Sequence, residues 1–233
     1  MKKIGIVGGL GPESTLYYYR IFTNLCYSNP KLEGSMPEIL IYSLNLQECL
    51  KIMEAERWSE MAQKILDAFF SLFRAGANFG LIAANTPHKV FDVIKEECPI
   101  PLISIVEATC MAVKQKGLSR VGLFGTLTTM GSSFYRDVFE RHGITIEIPE
   151  EKDRDYICEK ISRELGVGII REETRRGFLD IAEKMRKENS IEGLILGCTE
   201  IPLLLGGEDI GMPFFDTSRI HVESALEYSM NAS

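Results

Sequence analysis

The 233-residue chain contains two pairs of segments that repeat one another. Gly80-Leu81-Ile82-Ala83-Ala84-Asn85-Thr86 resembles Gly193-Leu194-Ile195-Leu196-Gly197-Cys198-Thr199, 113 residues later. Lys3-Ile4-Gly5-Ile6-Val7-Gly8-Gly9 resembles Arg120-Val121-Gly122-Leu123-Phe124-Gly125-Thr126, 117 residues later. Each is an apolar run of strand length that stops at small or polar residues. Two nearly constant offsets describe a duplicated half with a few residues gained or lost. A duplicated α/β half supplies two equivalent strand ends, and two ends facing one cleft suit chemistry that needs both faces of a small molecule.

The rest of the chain alternates in the same rhythm. Strands are expected at 3–7, 38–43, 79–83, 102–105, 121–124, 144–148, 193–196 and 213–216. Between them, apolar residues recur at helical spacing, as in Met61, Ile65, Leu66, Phe69, Phe70 and Phe73. The expected fold is α/β: two similar domains related by a pseudo-two-fold duplication, each a mostly parallel sheet flanked by helices, with the active site in the cleft between them. The first domain is expected to comprise residues 1–105 plus 212–233, and the second 106–211. Ligands of such sheets bind outside the carboxyl ends of the strands.

Composition removes several classes of function. The net charge is −7, with no basic stripe, so nucleic acid is not an expected partner. No stretch of about 18 apolar residues occurs, so no membrane partner is expected either, and a soluble cytoplasmic protein is. The six cysteines form no CxxC pair, and Cys and His lack ligand spacing, so neither disulfides nor a metal site are expected. Gly9-Leu10-Gly11 does not continue into a dinucleotide fingerprint, because Ser14 stands where its third glycine belongs.

The residues with chemistry in them fall at strand ends. Cys198, between Gly197 and Thr199, is placed where backbone N–H groups can hold a thiolate, which serves as nucleophile or base. Asn85 and Thr86, with His88 nearby, end the matching strand and form a cradle suited to a carboxylate. The Gly8–Pro12 loop could hold an anion at the following helix terminus.

Five segments taken in order resemble the aspartate/glutamate racemase family, of the aspartate racemase type. They are Gly8-Gly9-Leu10-Gly11-Pro12-Glu13-Ser14-Thr15, Ala84-Asn85-Thr86-Pro87-His88, Val121 to Thr126, Gly197-Cys198-Thr199-Glu200, and Asp216-Thr217 with His221. The resemblance covers nearly the whole chain. It implies a racemase of two similar α/β domains, usually dimeric, that works without cofactor on aspartate or glutamate. Members use two cysteines on opposite faces of the α-carbon. Cys198 matches the second of these; the first falls at Ala84, which can neither give nor take a proton.

The resemblance also implies roles for other residues. Asn85, Thr86 and Thr199, with Thr126, would hold the α-carboxylate; Leu10 would wall the pocket; Glu200 would orient Cys198. The side-chain carboxylate needs a cation. The loop with Asn45, Gln47 and Glu48 offers none, and Arg163 is the nearest candidate elsewhere. Ala84 has three accounts: an engineered replacement of Cys, a natural variant favouring one enantiomer, or an enzyme needing one thiol. Two rivals to a two-base racemase stay open. One is a single-cysteine decarboxylase or isomerase of a malonate- or maleate-like acid; the other is an amino-acid-binding module without catalysis.

Overall fold

A computed structural model describes residues 1–30, 32, 34–206 and 211–231. It divides the chain into two compact units, Met1–Ile105 with Ser218–Ser233, and Val106–Thr217. In the first unit, β1 (Ile4–Gly8) leads to α1 (Pro12–Ser28), β2 (Ile39–Ser43), α2 (Leu46–Glu54), α3 (Trp58–Arg74), β3 (Phe79–Ile82) and α4 (Phe91–Glu97). The chain enters the second unit through α5 (Ile105–Gln115). There it forms β4 (Arg120–Gly125), α6 (Leu127–Gly131), α7 (Phe134–Glu140), β5 (Thr145–Glu147), α8 (Glu151–Arg163), α9 (Glu172–Asn189), β6 (Gly193–Gly197) and β7 (Phe214–Asp216). It returns to the first unit through α10 (Thr217–Met230).

Both sheets are parallel. The first has the order β2-β1-β3, the second β5-β4-β6-β7. Side-chain alternation along the strands builds two cores on the first sheet. Val7 and Ile82 pack with α2, α3 and α4, while Ile4, Ile6, Phe79 and Leu81 pack with α1 and α10. In the second unit, Val121, Leu123, Phe124, Leu194 and Ile195 are fully or almost fully buried, and Phe124 meets Phe178 of α9 edge to face.

Three sequence expectations change. Residues 102–105 do not form a strand: Leu102 makes a single parallel bridge to Gly80, and Ile105 already starts α5. The region after β2 is not simply a loop, because Asn45 accepts from the N–H groups of Gln47 and Glu48 and so caps α2. The return to the first unit comes later than residue 212. β7 hydrogen-bonds along β6, which ties 214–216 to the second sheet, and the changeover follows at Ser218. Residues 207–210, beside the expected boundary, lie outside the described residues.

The duplication extends past the strands. Leu102 bridges Gly80 and is followed three residues later by α5; Phe214 pairs with Leu194 and is followed three residues later by α10. Each half therefore ends with a fourth pairing position and a helix that carries the chain out of its sheet.

Candidate active site

At the end of β6 the backbone turns through Cys198, Thr199 and Glu200 into a short 3₁₀ segment, Ile201–Leu203. Leu203 N–H donates to the Glu200 carbonyl and Ile201 N–H to that of Cys198, at 3.1 Å each. The turn folds the Glu200 side chain back onto its neighbours. The half-buried Cys198 thiol donates to Glu200 Oε2 over 2.8 Å, and the Thr199 hydroxyl donates to the same oxygen over 2.9 Å. Burial first, and then the Glu200 carboxylate, push the Cys198 thiol well above its ordinary range; the Glu200 N–H opposes them in part. The resting group is a protonated thiol. Burial, and after it the carboxylate at contact distance, disfavour the thiolate expected here more than one backbone N–H favours it.

Cys158 was unmarked in the sequence as anything but a small buried residue. It lies on α8, where its thiol donates to the Gly125 carbonyl over 3.6 Å, and its own partial charge adds to the upward shift at Cys198. No spacing signal could have shown this, since the contact is made by α8 crossing the end of β4. Thr217, just past β7, donates to the Leu196 carbonyl over 2.9 Å and fixes the end of β6 from its other side.

The end of β3 carries a different construction. Ala84 and Thr86 are half-buried and Asn85 is buried. His88 closes the turn. Its Nδ1 lies 2.9 Å from the Ala84 carbonyl, and its Nε2 accepts from Ile105 N–H over 3.2 Å. That pattern fixes the neutral tautomer with the proton on Nδ1. Burial, and secondarily the nearby His221, lower the His88 pKa to about 3. His221 on α10 is neutral too, lowered to about 4 by burial; it accepts from Tyr18 and donates to the Ile103 carbonyl, each over 2.9 Å. These histidines hold the strand end in place.

The ladders give the two strand ends a common register. Ile4 pairs with Phe79 and Val7 with Ile82; in the second sheet Val121 pairs with Gly193 and Phe124 with Leu196. With β1 and β4 matched at 117 residues, β3 and β6 match at 114, one more than their Gly-Leu-Ile sequences suggest. This register makes Ala84 the counterpart of Cys198.

A family model described as Asp/Glu/Hydantoin racemase matches residues 7–225. The chain belongs to that family. It is 24% identical over 226 residues to the broad specificity amino-acid racemase RacX of Bacillus subtilis, covering 96% of each chain. A candidate Asp/Glu racemase from Yersinia pestis has a solved structure that matches with a TM-score of 0.91 and 36% identity, over 99% of this chain and 100% of that one. An aspartate racemase homologue from Pyrococcus horikoshii gives a TM-score of 0.88 and 36% identity over the same shares.

Within this racemase-family chain the other expected site residues separate. Thr199 is buried beside Cys198 and shares Glu200 with it. Thr126 stands as the N-cap of α6, where its hydroxyl accepts from Thr129 N–H over 3.1 Å and donates to Thr129 Oγ1 over 3.0 Å. Arg163 is exposed and pairs with Glu159 over 3.4 Å. Leu10 is half-buried against the core on the α3 side. In the loop beside it, Gly9 takes φ +76°, and a Cβ there would lie 2.2 Å from the Leu44 carbonyl oxygen. Its N–H donates to Thr15 Oγ1 over 2.9 Å, so that donor already has an internal partner. Among the described residues, no group of three or more His, Cys, Asp or Glu could hold a metal ion, and no helix is long and apolar enough to cross a membrane.

Proposed function

We propose that the chain is a cofactor-independent amino-acid racemase-type enzyme in which Cys198 serves one face of the α-carbon and the opposite face lacks a titratable group. The observation that carries this reading is the register that pairs Ala84 with Cys198. In a two-base mechanism one group takes the α-proton while its counterpart supplies another from the far side. Here Cys198 passes its proton to Glu200 before acting as base, or gives it directly when acting as acid. The Asn85–Thr86 turn is suited to the α-carboxylate, where fixed donors favour the charge that develops as the α-proton leaves. The resemblance implies aspartate or glutamate as the substrate and a homodimer as the working form.

As the chain stands, racemisation is impaired while exchange of the α-hydrogen of one enantiomer survives, because one thiol can remove and return a proton on its own face. Ala84→Cys restores the second group. Racemisation followed by polarimetry is expected to rise by about 10²–10⁴-fold, the range a positioned acid–base group supplies. An unchanged rate across charged, polar and apolar amino acids would overturn the reading.

One observation favours a second reading. A thiol held protonated beside a carboxylate is a ready proton donor. A single-thiol decarboxylase or isomerase would protonate a planar intermediate with it and would need nothing at residue 84. Turnover of a malonate-type acid by the unaltered chain, lost in Cys198→Ala, distinguishes that case.

A further inference from the structure

The inner face of α8 carries a cation. Ile157 and Ile161 of α8, and Leu165 just past it, are buried, and their spacing marks one face of the helix. Arg154 and Cys158, one turn apart and both half-buried, continue that face toward the start of α8. The Arg154 Nε is buried and has no hydrogen-bond partner. Its guanidinium forms no ion pair among the described residues, whereas the cations around it do. Lys160 holds Glu164 over 2.7 Å, Arg163 holds Glu159 over 3.4 Å, and Lys184 holds Glu150 over 2.6 Å and Asp153 over 3.0 Å. Arg163, the cation expected from the sequence, follows Arg154 by nine residues, or two and a half turns, which turns it to the opposite, exposed face. A cation drawn partly out of water without a partner costs stability, and an anion brought to it relieves that cost.

Contacts within the second unit connect this face to Cys198. The Cys158 thiol donates to the Gly125 carbonyl over 3.6 Å and accepts from Leu127 N–H, so α8 crosses the carboxyl end of β4. Gly125 pairs with Gly197 across one strand spacing, about 4.8 Å, and Gly197 is the residue before Cys198. Electrostatic effects follow the same path. Burial raises the Cys158 thiol and the Arg154 charge draws it partly back; the Cys158 thiol in turn adds to the upward shift at Cys198. Glu200 already places one carboxylate at the Cys198 thiol. A ligand that brings two more needs a cation on this side.

We infer that Arg154 receives the side-chain carboxylate of the substrate, and so selects dicarboxylic amino acids for the Cys198 site. This rests on the amino-acid reading of that site and deepens it by naming the residue that chooses the side chain. A guanidinium takes a carboxylate through two parallel N–H···O bonds, a geometry that the corresponding amide cannot reproduce.

The test is α-hydrogen exchange in heavy water, followed by proton NMR, on the full chain with and without Arg154→Gln, Arg154→Lys or Arg154→Met. Both enantiomers of aspartate, glutamate, asparagine and glutamine are compared. The two acids are expected to exchange at least about 10-fold faster than their amides, by kcat/KM, since a site built to bond a group rejects the analogue without it. Arg154→Gln is expected to lower kcat/KM for the acids by about 10–100-fold, mostly through KM, the scale of hydrogen bonds to a charged group. The amides should stay within about 3-fold, a difference of under 1 kcal/mol. Arg154→Lys should recover part of the loss, keeping the charge without the fork. Arg154→Met, which replaces an unpartnered cation by an apolar chain, should melt no lower than the parent when unliganded. An acid-to-amide ratio that Arg154→Gln leaves unchanged would overturn the inference and leave the racemase reading standing. Equal losses for acids and amides, with Arg154→Met less stable than the parent, would do the same and reduce Arg154 to a support of α8. Exchange with no amino acid, in the parent and in Ala84→Cys, would remove the racemase reading. Calorimetric titration with succinate then judges Arg154 by itself: binding to the parent that is lost in Arg154→Gln keeps the carboxylate site, and equal or absent binding overturns it.

Discussion

The ends of β3 and β6 are the same backbone position in two copies of one half, yet they carry opposite chemistry. At the end of β6 a thiol, a hydroxyl and a carboxylate meet within 3 Å of one another's partner atoms, with Glu200 Oε2 at 2.8 Å from Cys198 Sγ and 2.9 Å from Thr199 Oγ1. At the end of β3, Ala84 contributes only its carbonyl, which is spent on a neutral histidine. The shared ladder register keeps the scaffold the same, while the side chains differ: a thiol, a hydroxyl and a carboxylate at one end, an alanine and a neutral histidine at the other. Burial acts on both, in opposite senses for the charged states: it holds Cys198 protonated and His88 unprotonated, so both groups rest uncharged.

The largest way to break this contrast is Cys198→Ala. If the reactive end carries the chemistry, α-hydrogen exchange in heavy water falls by about 10²–10⁴-fold, while thermal unfolding of a half-buried, surface-edge position changes little. Exchange that persists would move the chemistry away from β6. Glu200→Gln sharpens the same contrast. Removing the carboxylate removes the second cause of the raised thiol, so the thiolate should form at lower pH than in the parent. Thiolate absorbance near 240 nm, or alkylation by iodoacetamide against pH, reads that displacement. Activity is expected to fall by about 10–100-fold, at or below the lower end of the acid–base range, because the thiol remains but its proton acceptor does not. A titration midpoint that stays put or rises would contradict the pairing.

How much of this was legible beforehand differs between the two ends. The strands were readable because apolar runs stopping at Gly, Asn or Thr repeat at steady offsets, and the parallel sheets follow from strand–helix alternation. The position of Cys198 and Glu200, two residues apart just past an apolar run, was readable for the same reason. The alignment of the copies was one residue out. Both contain Gly-Leu-Ile, and sequence identity locked onto those three letters, whereas the ladder hydrogen bonds set the true register. The protonation of Cys198 depended on how the 3₁₀ turn folds Glu200 back, which spacing does not encode. Cys158 and the Tyr18–His221 pair come from elements 33 and 203 residues away from their partners, and nothing local marks them. The cap of α2 left a signal, Asn45 followed three residues later by Glu48, in a stretch short enough to pass for a loop.

The positioning end makes its own prediction, of intermediate size. His88 and His221 are both neutral when folded, with pKa values lowered to about 3 and about 4 from the ordinary 6.5. Below pH 6.5 the unfolded chain binds these two protons and the folded chain does not. Their contribution is therefore intact above pH 6.5 and lost as the pH falls toward 4 and then 3. The slope approaches about 1.4 kcal/mol per pH unit for each histidine. Denaturant unfolding of the parent and of His221→Gln, at steps between pH 7 and 4.5, isolates one of the two. The variant starts less stable, having lost two buried hydrogen bonds, but its stability should fall less steeply with acid. Parallel curves would mean that His221 is not the buried neutral group its bonds to Tyr18 and Ile103 describe.

The smallest effect tests a residue shared in name by both descriptions of the site. Thr126 caps α6 and also stands at the end of β4, where the family resemblance assigns it to the substrate carboxylate. The two roles separate by charge. Thr126→Ala removes the cap, worth about 1 kcal/mol, or about 2–4 °C in a chain of this size. Thr126→Asp keeps a side-chain acceptor for Thr129 N–H and adds a negative charge at the helix N-terminus, which favours the cap. If capping is the role, Asp restores the melting temperature that Ala lowers, and KM for α-hydrogen exchange changes by less than about 3-fold, a difference of under 1 kcal/mol, in both. If Thr126 meets the carboxylate, Asp places like charges together, and KM rises steeply in the variant whose fold is the more stable. Stability and affinity then move in opposite directions, which a helix cap alone does not produce.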